Sequence, residues 1–174
     1  MNNFESRLKG GHPNSLGNTI EIVEEVLADE KKFDELFNCY SSNDELVRLR
    51  TSNAMKRICI ANEQLLVPYL NIFLRDIAKI NQASTKWTLA QMFDMLKNEM
   101  SEKQLELAQS IMKNNLTTSN DWIVLTQTMK TLAKWSKKNE DLQNWLKPLL
   151  VKFSNDERKS VSGKAQKLLS EIEK

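Results

Sequence analysis

The chain has 174 residues, 40% of them hydrophobic and 28% charged, which is enough for one well-buried domain and too short for two comfortable ones. Lysine and arginine exceed aspartate and glutamate by only two, so net charge makes no general case for nucleic acid or an anionic membrane surface. Four glycines and three prolines leave little for turn-rich β architectures, and the abundant Lys, Glu, Leu, Asn and Met give the profile of an all-α protein.

Residues 1–17 contain Gly10, Gly11, Pro13 and Gly17 and are expected to form a flexible arm, ahead of a helical domain over 18–174. No apolar run there has signal-peptide length, and no stretch of about 18 apolar residues occurs anywhere. The chain is therefore expected neither to be exported nor to span a membrane. Cys39 and Cys59 stand in apolar helical contexts without CxxC spacing, as reduced buried thiols suited to the cytoplasm.

After a short helix over about Thr19 to Ala28, two kinds of helix alternate. The first kind reads KKFDELFNCY, EQLLVPYLNIFLRDIAKI, SEKQLELAQSIMKNNL and EDLQNWLKPLLVKF; the second reads VRLRTSNAMKRI from Val47, TKWTLAQMFDML from Thr85, DWIVLTQTMKTL from Asp121 and RKSVSGKAQKLL from Arg158. Pro68 and Pro148 fall within helices of the first kind, where a proline sits near the start or kinks the coil. The second kind starts at steps of 38, 36 and 37 residues, a period of helical-hairpin arrays. The string Ser-Asn-Asp recurs at 42–44, 119–121 and 154–156, always between helices, where these residues cap free backbone N–H groups.

Asp44-Glu45-Leu46-Val47-Arg48, followed by Ala54 and Met55, resembles the HEAT repeat, and the resemblance extends over roughly residues 30–173. Lys86 and Trp87 stand where it expects Arg and a variable residue; Asp121 and Arg158 replace the valine in the later repeats. The resemblance implies a right-handed α-solenoid of about four HEAT-like hairpins, with the second helix of each pair lining a concave groove.

Within STKWTLAQMFDML, Leu89, Met92, Phe93 and Leu96 make one apolar stripe, and Trp87 lies on the opposite side with Gln91 and Asp94. The repeat alignment extends that side into three rows: Leu49, Trp87, Ile123 and Ser160; Asn53, Gln91, Gln127 and Lys164; Lys56, Asp94, Lys130 and Lys167. Either neighbouring helices or the N-terminal arm cover these rows, or they form a groove whose apolar anchors hold a protein or peptide while carboxamides bond its backbone. Trp135 and Trp145 fall on apolar faces and are expected in the core; Trp122 is undecided.

His12, the only histidine, lies in the arm, no glycine-rich phosphate loop occurs, and no metal cluster or cofactor motif is present. The expectation is a non-enzymatic binding module without cofactor. The alternative is nucleic-acid binding: Arg48, Arg50, Lys56 and Arg57 form the best basic patch, and some HEAT-like DNA glycosylases hold duplex in the groove with aromatic and acidic residues, here Trp87 and Asp94 with Lys130 and Lys134 nearby.

Overall fold

The computed structural model describes residues 3–172, and every regular element among them is helical, ten α-helices with short 3-10 turns between several of them. No helix among the described residues is long and apolar enough to cross a membrane. The chain divides into two compact units, Met1–Gln104 and Leu105–Lys174. Helices that pack mainly against sequence neighbours do not need a single shared centre.

Unit 1 contains α1 (Phe4–Leu8), α2 (Thr19–Ala28), α3 (Phe33–Asn38), α4 (Glu45–Ala61), α5 (Leu70–Arg75) and α6 (Ala83–Met95). α4 is its centre and touches α1, α2, α3 and α6. Val47, Thr51, Ala54, Met55 and Ile58 bury one face of α4, and Leu89, Met92, Phe93 and Leu96 bury the matching face of α6, as the stripes predict. Each such large aliphatic side chain contributes about 1.5–3 kcal/mol on full burial. The polar members of these faces are satisfied locally. Thr51 Oγ1 donates to the Val47 carbonyl, Thr88 Oγ1 to that of Ser84, and the Ser52 and Thr85 hydroxyls meet at 3.2 Å between the helices.

The helix expected over 63–80 is instead broken into 3-10 turns at Glu63–Leu65, Val67–Tyr69 and Ile77–Lys79 around the short α5. Pro68 accounts for the break ahead of α5, since it has no N–H to donate and disfavours α geometry at Val67. The broken segment stays attached through its rings: Phe33, Phe37, Tyr40, Tyr69 and Phe73 form one aromatic cluster with centroids 4.7–6.2 Å apart, and Tyr69 Oη donates to Asp34.

Residues 3–17 lie against α4. Phe4 and Leu8 of α1 are buried, and the turns after them wrap Arg50, whose side chain reaches the interior at 1% exposure. Arg50 Nη1 donates to the carbonyls of Leu8 and Gly10, both at 2.7 Å, and Nε donates to that of Ser15 at 3.2 Å. Longer contacts run from Nη1 to the carbonyl of Lys9 and from Nη2 to that of His12. Carbonyls can converge this way because Gly10, Gly11 and Gly17 take φ of +72°, +79° and +50°. A Cβ on Gly17 would stand 2.9 Å from Arg50 Cζ, so the turn also needs glycine for space.

α7 (Glu102–Thr118) crosses the boundary between the units, and unit 2 continues with α8 (Trp122–Ser136), α9 (Glu140–Phe153) and α10 (Lys159–Ile172). α8, α9 and α10 all pack on one another through Val124, Met129, Leu132, Leu142, Leu146, Val161 and Ala165. Pro148 is tolerated inside α9, on an exposed position where only one helical bond is forfeited.

Two outcomes test this packing. Arg50→Met leaves the buried Leu8 carbonyl without a donor at about 1–3 kcal/mol, while the part-buried carbonyls of Gly10 and Ser15 can turn to water, so urea denaturation is expected to show a loss on the order of 2 kcal/mol, only partly recovered by Arg50→Lys. A wild-type midpoint for Arg50→Met would show that the carbonyl cage contributes nothing. Burial pushes the Cys39 thiol up to about 11 and that of Cys59 to about 12. Both are therefore expected to react with a thiol reagent roughly a hundredfold or more slowly in the native protein than in urea, and comparable rates would contradict their placement.

Candidate functional site

The outward faces of the helices are phased by where each helix begins. Asp44 Oδ1 accepts from the N–H groups of Leu46 and Val47, and Ser42 Oγ accepts from that of Asp44. Seventy-seven positions later the arrangement repeats: Asp121 Oδ1 accepts from Ile123 and Val124, and Ser119 Oγ from Asp121. Each cap contributes about 1 kcal/mol and sets the first helical carbonyl. The carbonyls of Asp44, Gln82, Asp121 and Arg158 accept the first bonds of α4, α6, α8 and α10, from Arg48, Lys86, Leu125 and Ser162.

This phasing changes the repeat alignment in unit 2. The counterpart of Val47 is Val124 and not Asp121, so the Asp-x-x-Val string recurs intact there with Leu125 in place of the arginine. Leu49 and Trp87 stand five residues after their caps, whereas Ile123 and Ser160 stand two after theirs. The predicted rows are therefore in register within each unit, with a three-residue offset between the units. The offset arises because Asp121 is itself the cap, three residues ahead of the position that Val47 holds in α4.

In unit 1, Leu49 and Asn53 of α4 and Trp87, Gln91 and Asp94 of α6 are all half-buried, on the side of the two helices away from the buried stripes. The Trp87 ring carries the Lys56 ammonium 5.3 Å from its centroid, an attraction of roughly 0.5–2 kcal/mol. Burial pushes the Lys56 ammonium down, with Arg57 adding to the effect. Asn53 is engaged, its Oδ1 accepting from Arg57 Nε at 2.7 Å. Leu49 lines a recess of about 330 Å³ together with Pro13, Asp44, Glu45, Leu46 and Gln82. Ile60 continues the Leu49–Asn53 column at 67% exposure, a residue the sequence reading passed over although it follows Asn53 at i+7.

Two of the four cations of the basic patch on α4 are engaged within the protein. Arg50 is enclosed by carbonyls, and Arg48 bonds Gln82 Oε1 at 2.8 Å and the Ser42 carbonyl at 2.6 Å. Arg48 thereby ties the start of α4 to the start of α6.

In unit 2, Ile123 and Gln127 are half-buried and Lys130 is exposed, in one column along α8. Trp135 is in the core, as expected, whereas Trp145 is half-buried with the Lys113 ammonium 4.8 Å from its ring centroid. α9 turns the indole of Trp145 to the edge of the unit, with Leu142, Leu146 and Leu150 filling the interior instead. Trp122 is 49% exposed. Asp156 holds Arg158 in a two-pronged bond at 2.8 and 2.7 Å, which lowers its carboxyl to about 2, and Arg158 Nη1 also donates to the Asn120 carbonyl. His12 is a local turn residue whose Nδ1 accepts from the Asn14 N–H.

No family model, curated protein or solved structure matches the chain.

The half-burial of Trp87 has a measurable consequence. Trp135→Ala removes a core ring and is expected to cost about 3–5 kcal/mol, while Trp87→Ala is expected to cost under about 2 kcal/mol, the ring's inner edge and its lysine contact. Equal losses in chemical denaturation would place Trp87 in the core.

Proposed function

We propose that the chain is a non-enzymatic module of HEAT-like helical hairpins that binds a protein or peptide on the outward faces of its capped helices. In unit 1 the ligand face is Leu49, Asn53, Trp87, Gln91 and Asp94; in unit 2 it is Ile123, Gln127 and Lys130. The observation that carries the reading is Trp87, a large aromatic only partly buried, on the side of α6 opposite the core, next to a column that begins in the Leu49 recess and ends at Ile60. An amphipathic ring framed by carboxamide and charged groups is the composition of an interface anchor. The recurring Ser-Asn-Asp caps, the intact Asp-x-x-Val strings at Asp44 and Asp121 and the bridging Arg48 support the helical-repeat reading.

Nucleic-acid binding through α4 loses its best support with Arg50 enclosed and Arg48 committed to Gln82 and Ser42. A glycosylase-like role for Trp87 and Asp94 has only their shared face behind it.

Selection from a displayed peptide library tests the proposal. Peptides are expected to enrich on the wild-type protein and to bind at least roughly tenfold more weakly to the Trp87→Ala, Gln91→Ala double variant, with helical content unchanged. Peptides that bind both proteins equally would remove unit 1 from the site, and the absence of any enriched peptide would overturn the reading.

A further inference from the structure

The chain's small net charge conceals a segregation. Residues 1–104 hold thirteen lysines and arginines against fifteen aspartates and glutamates, and residues 105–174 hold twelve against eight, so unit 1 carries −2 and unit 2 carries +4. The excess in unit 2 is concentrated further. α8 contains no acidic residue and α10 contains one, Glu171, while seven lysines lie on these two helices or directly after α8.

These lysines are arranged in two columns. Lys130, Lys134 and Lys137 follow one another at i, i+4 and i+7 and are exposed. On α10, which packs against α8, Lys164 and Lys167 occupy the same steps after the cap as Gln127 and Lys130, six and nine residues beyond Arg158 and Asp121 respectively. Packed helix axes lie about 8–10 Å apart, so the columns are neighbours. Like charges at this spacing repel, and Lys167 is paired to Glu171 at 4.0 Å. The columns are bounded: toward the N-terminal ends of both helices they give way to Ile123 and Ser160, then to the carboxylates of Asp121 and Asp156.

We propose that the face formed by α8 and α10 binds an acidic helical peptide segment, with carboxylates at i, i+4 and i+7 over Lys130, Lys137 and Lys167 and an apolar residue over Ile123. This rests on the peptide-binding reading above and names the partner's chemistry. A helix laid along the two columns matches their spacing, which is the usual helix-in-groove register. A nucleic acid fits less well. Arg158, the one arginine of the unit, has its guanidinium spent on Asp156 and the Asn120 carbonyl, so bidentate readout is unavailable. The first-turn amides of α8 are taken by Asp121, which removes the backbone donors that position phosphates, and Ile123 offers a phosphodiester nothing.

The test is fluorescence anisotropy with a labelled helical peptide carrying leucine one turn before glutamates at i, i+4 and i+7, alongside its glutamine counterpart, a short DNA duplex and phosphatidylserine vesicles. The glutamate peptide is expected to bind at low salt, at least roughly tenfold tighter than the glutamine peptide. Lys130→Glu with Lys167→Glu, both exposed, is expected to abolish that preference while circular dichroism remains unchanged. Tighter binding of duplex or vesicles than of the glutamate peptide would overturn the proposal, as would a charge-reversed variant that binds it equally well. The Trp87→Ala, Gln91→Ala variant separates the two readings: retained glutamate-peptide binding there supports the lysine face on its own, and library peptides that bind without any acidic preference leave the general reading standing while ending this one.

Discussion

The starts of α4, α6, α8 and α10 are each held by a carboxylate or carbonyl that claims the first free N–H groups, and much else follows from that choice. An α-helix advances about 100° per residue, so fixing its first hydrogen-bonded carbonyl fixes which residues point inward. With Asp44 as cap, Val47, Thr51, Met55 and Ile58 face the interior of unit 1; with Asp121 as cap, Val124, Met129 and Leu132 do so in unit 2. Arg48 then links the start of α4 to Gln82 at the start of α6, so neighbouring helices share a phase as well as a core. The outward columns, Leu49 to Ile60, Trp87 to Asp94 and Ile123 to Lys137, are what remains once the inward ones are chosen.

Arg50 shows how a charge is accommodated when no carboxylate supplies the compensation. Burying an unpaired guanidinium would be prohibitive, but its five N–H groups can be spread over several carbonyls whose dipoles point at it. The positive-φ glycines turn those carbonyls inward and keep their own side of the cage open. The N-terminal segment is thus tied down through one side chain of α4.

Much of the fold was legible because periodicity reports burial. The stripes through Thr51 to Ile58 and Leu89 to Leu96 and the core position of Trp135 come from spacing alone. What escaped depends on partners remote in sequence or on main-chain direction. Arg50 reads as a surface charge because its acceptors are carbonyls 35 to 42 residues earlier, and carbonyl orientation leaves no mark on hydropathy. The helix over 63–80 carried a sufficient apolar pattern, yet the missing N–H of Pro68 outweighed it. The offset of the unit 2 rows was recoverable, since Ser-Asn-Asp at 42–44 and 119–121 stood in the sequence as a better ruler than the helix strings. The lysine face was hidden by averaging, a net charge of +2 over a chain whose halves differ in sign.

The central claim is that cap phasing turns Trp87 outward while it buries Trp135, and hydroxyl-radical footprinting read by mass spectrometry measures this directly on the unmodified chain. The account predicts fastest oxidation at Trp122, intermediate rates at Trp87 and Trp145 and the slowest at Trp135. Protection of Trp87 equal to that of Trp135 would contradict it.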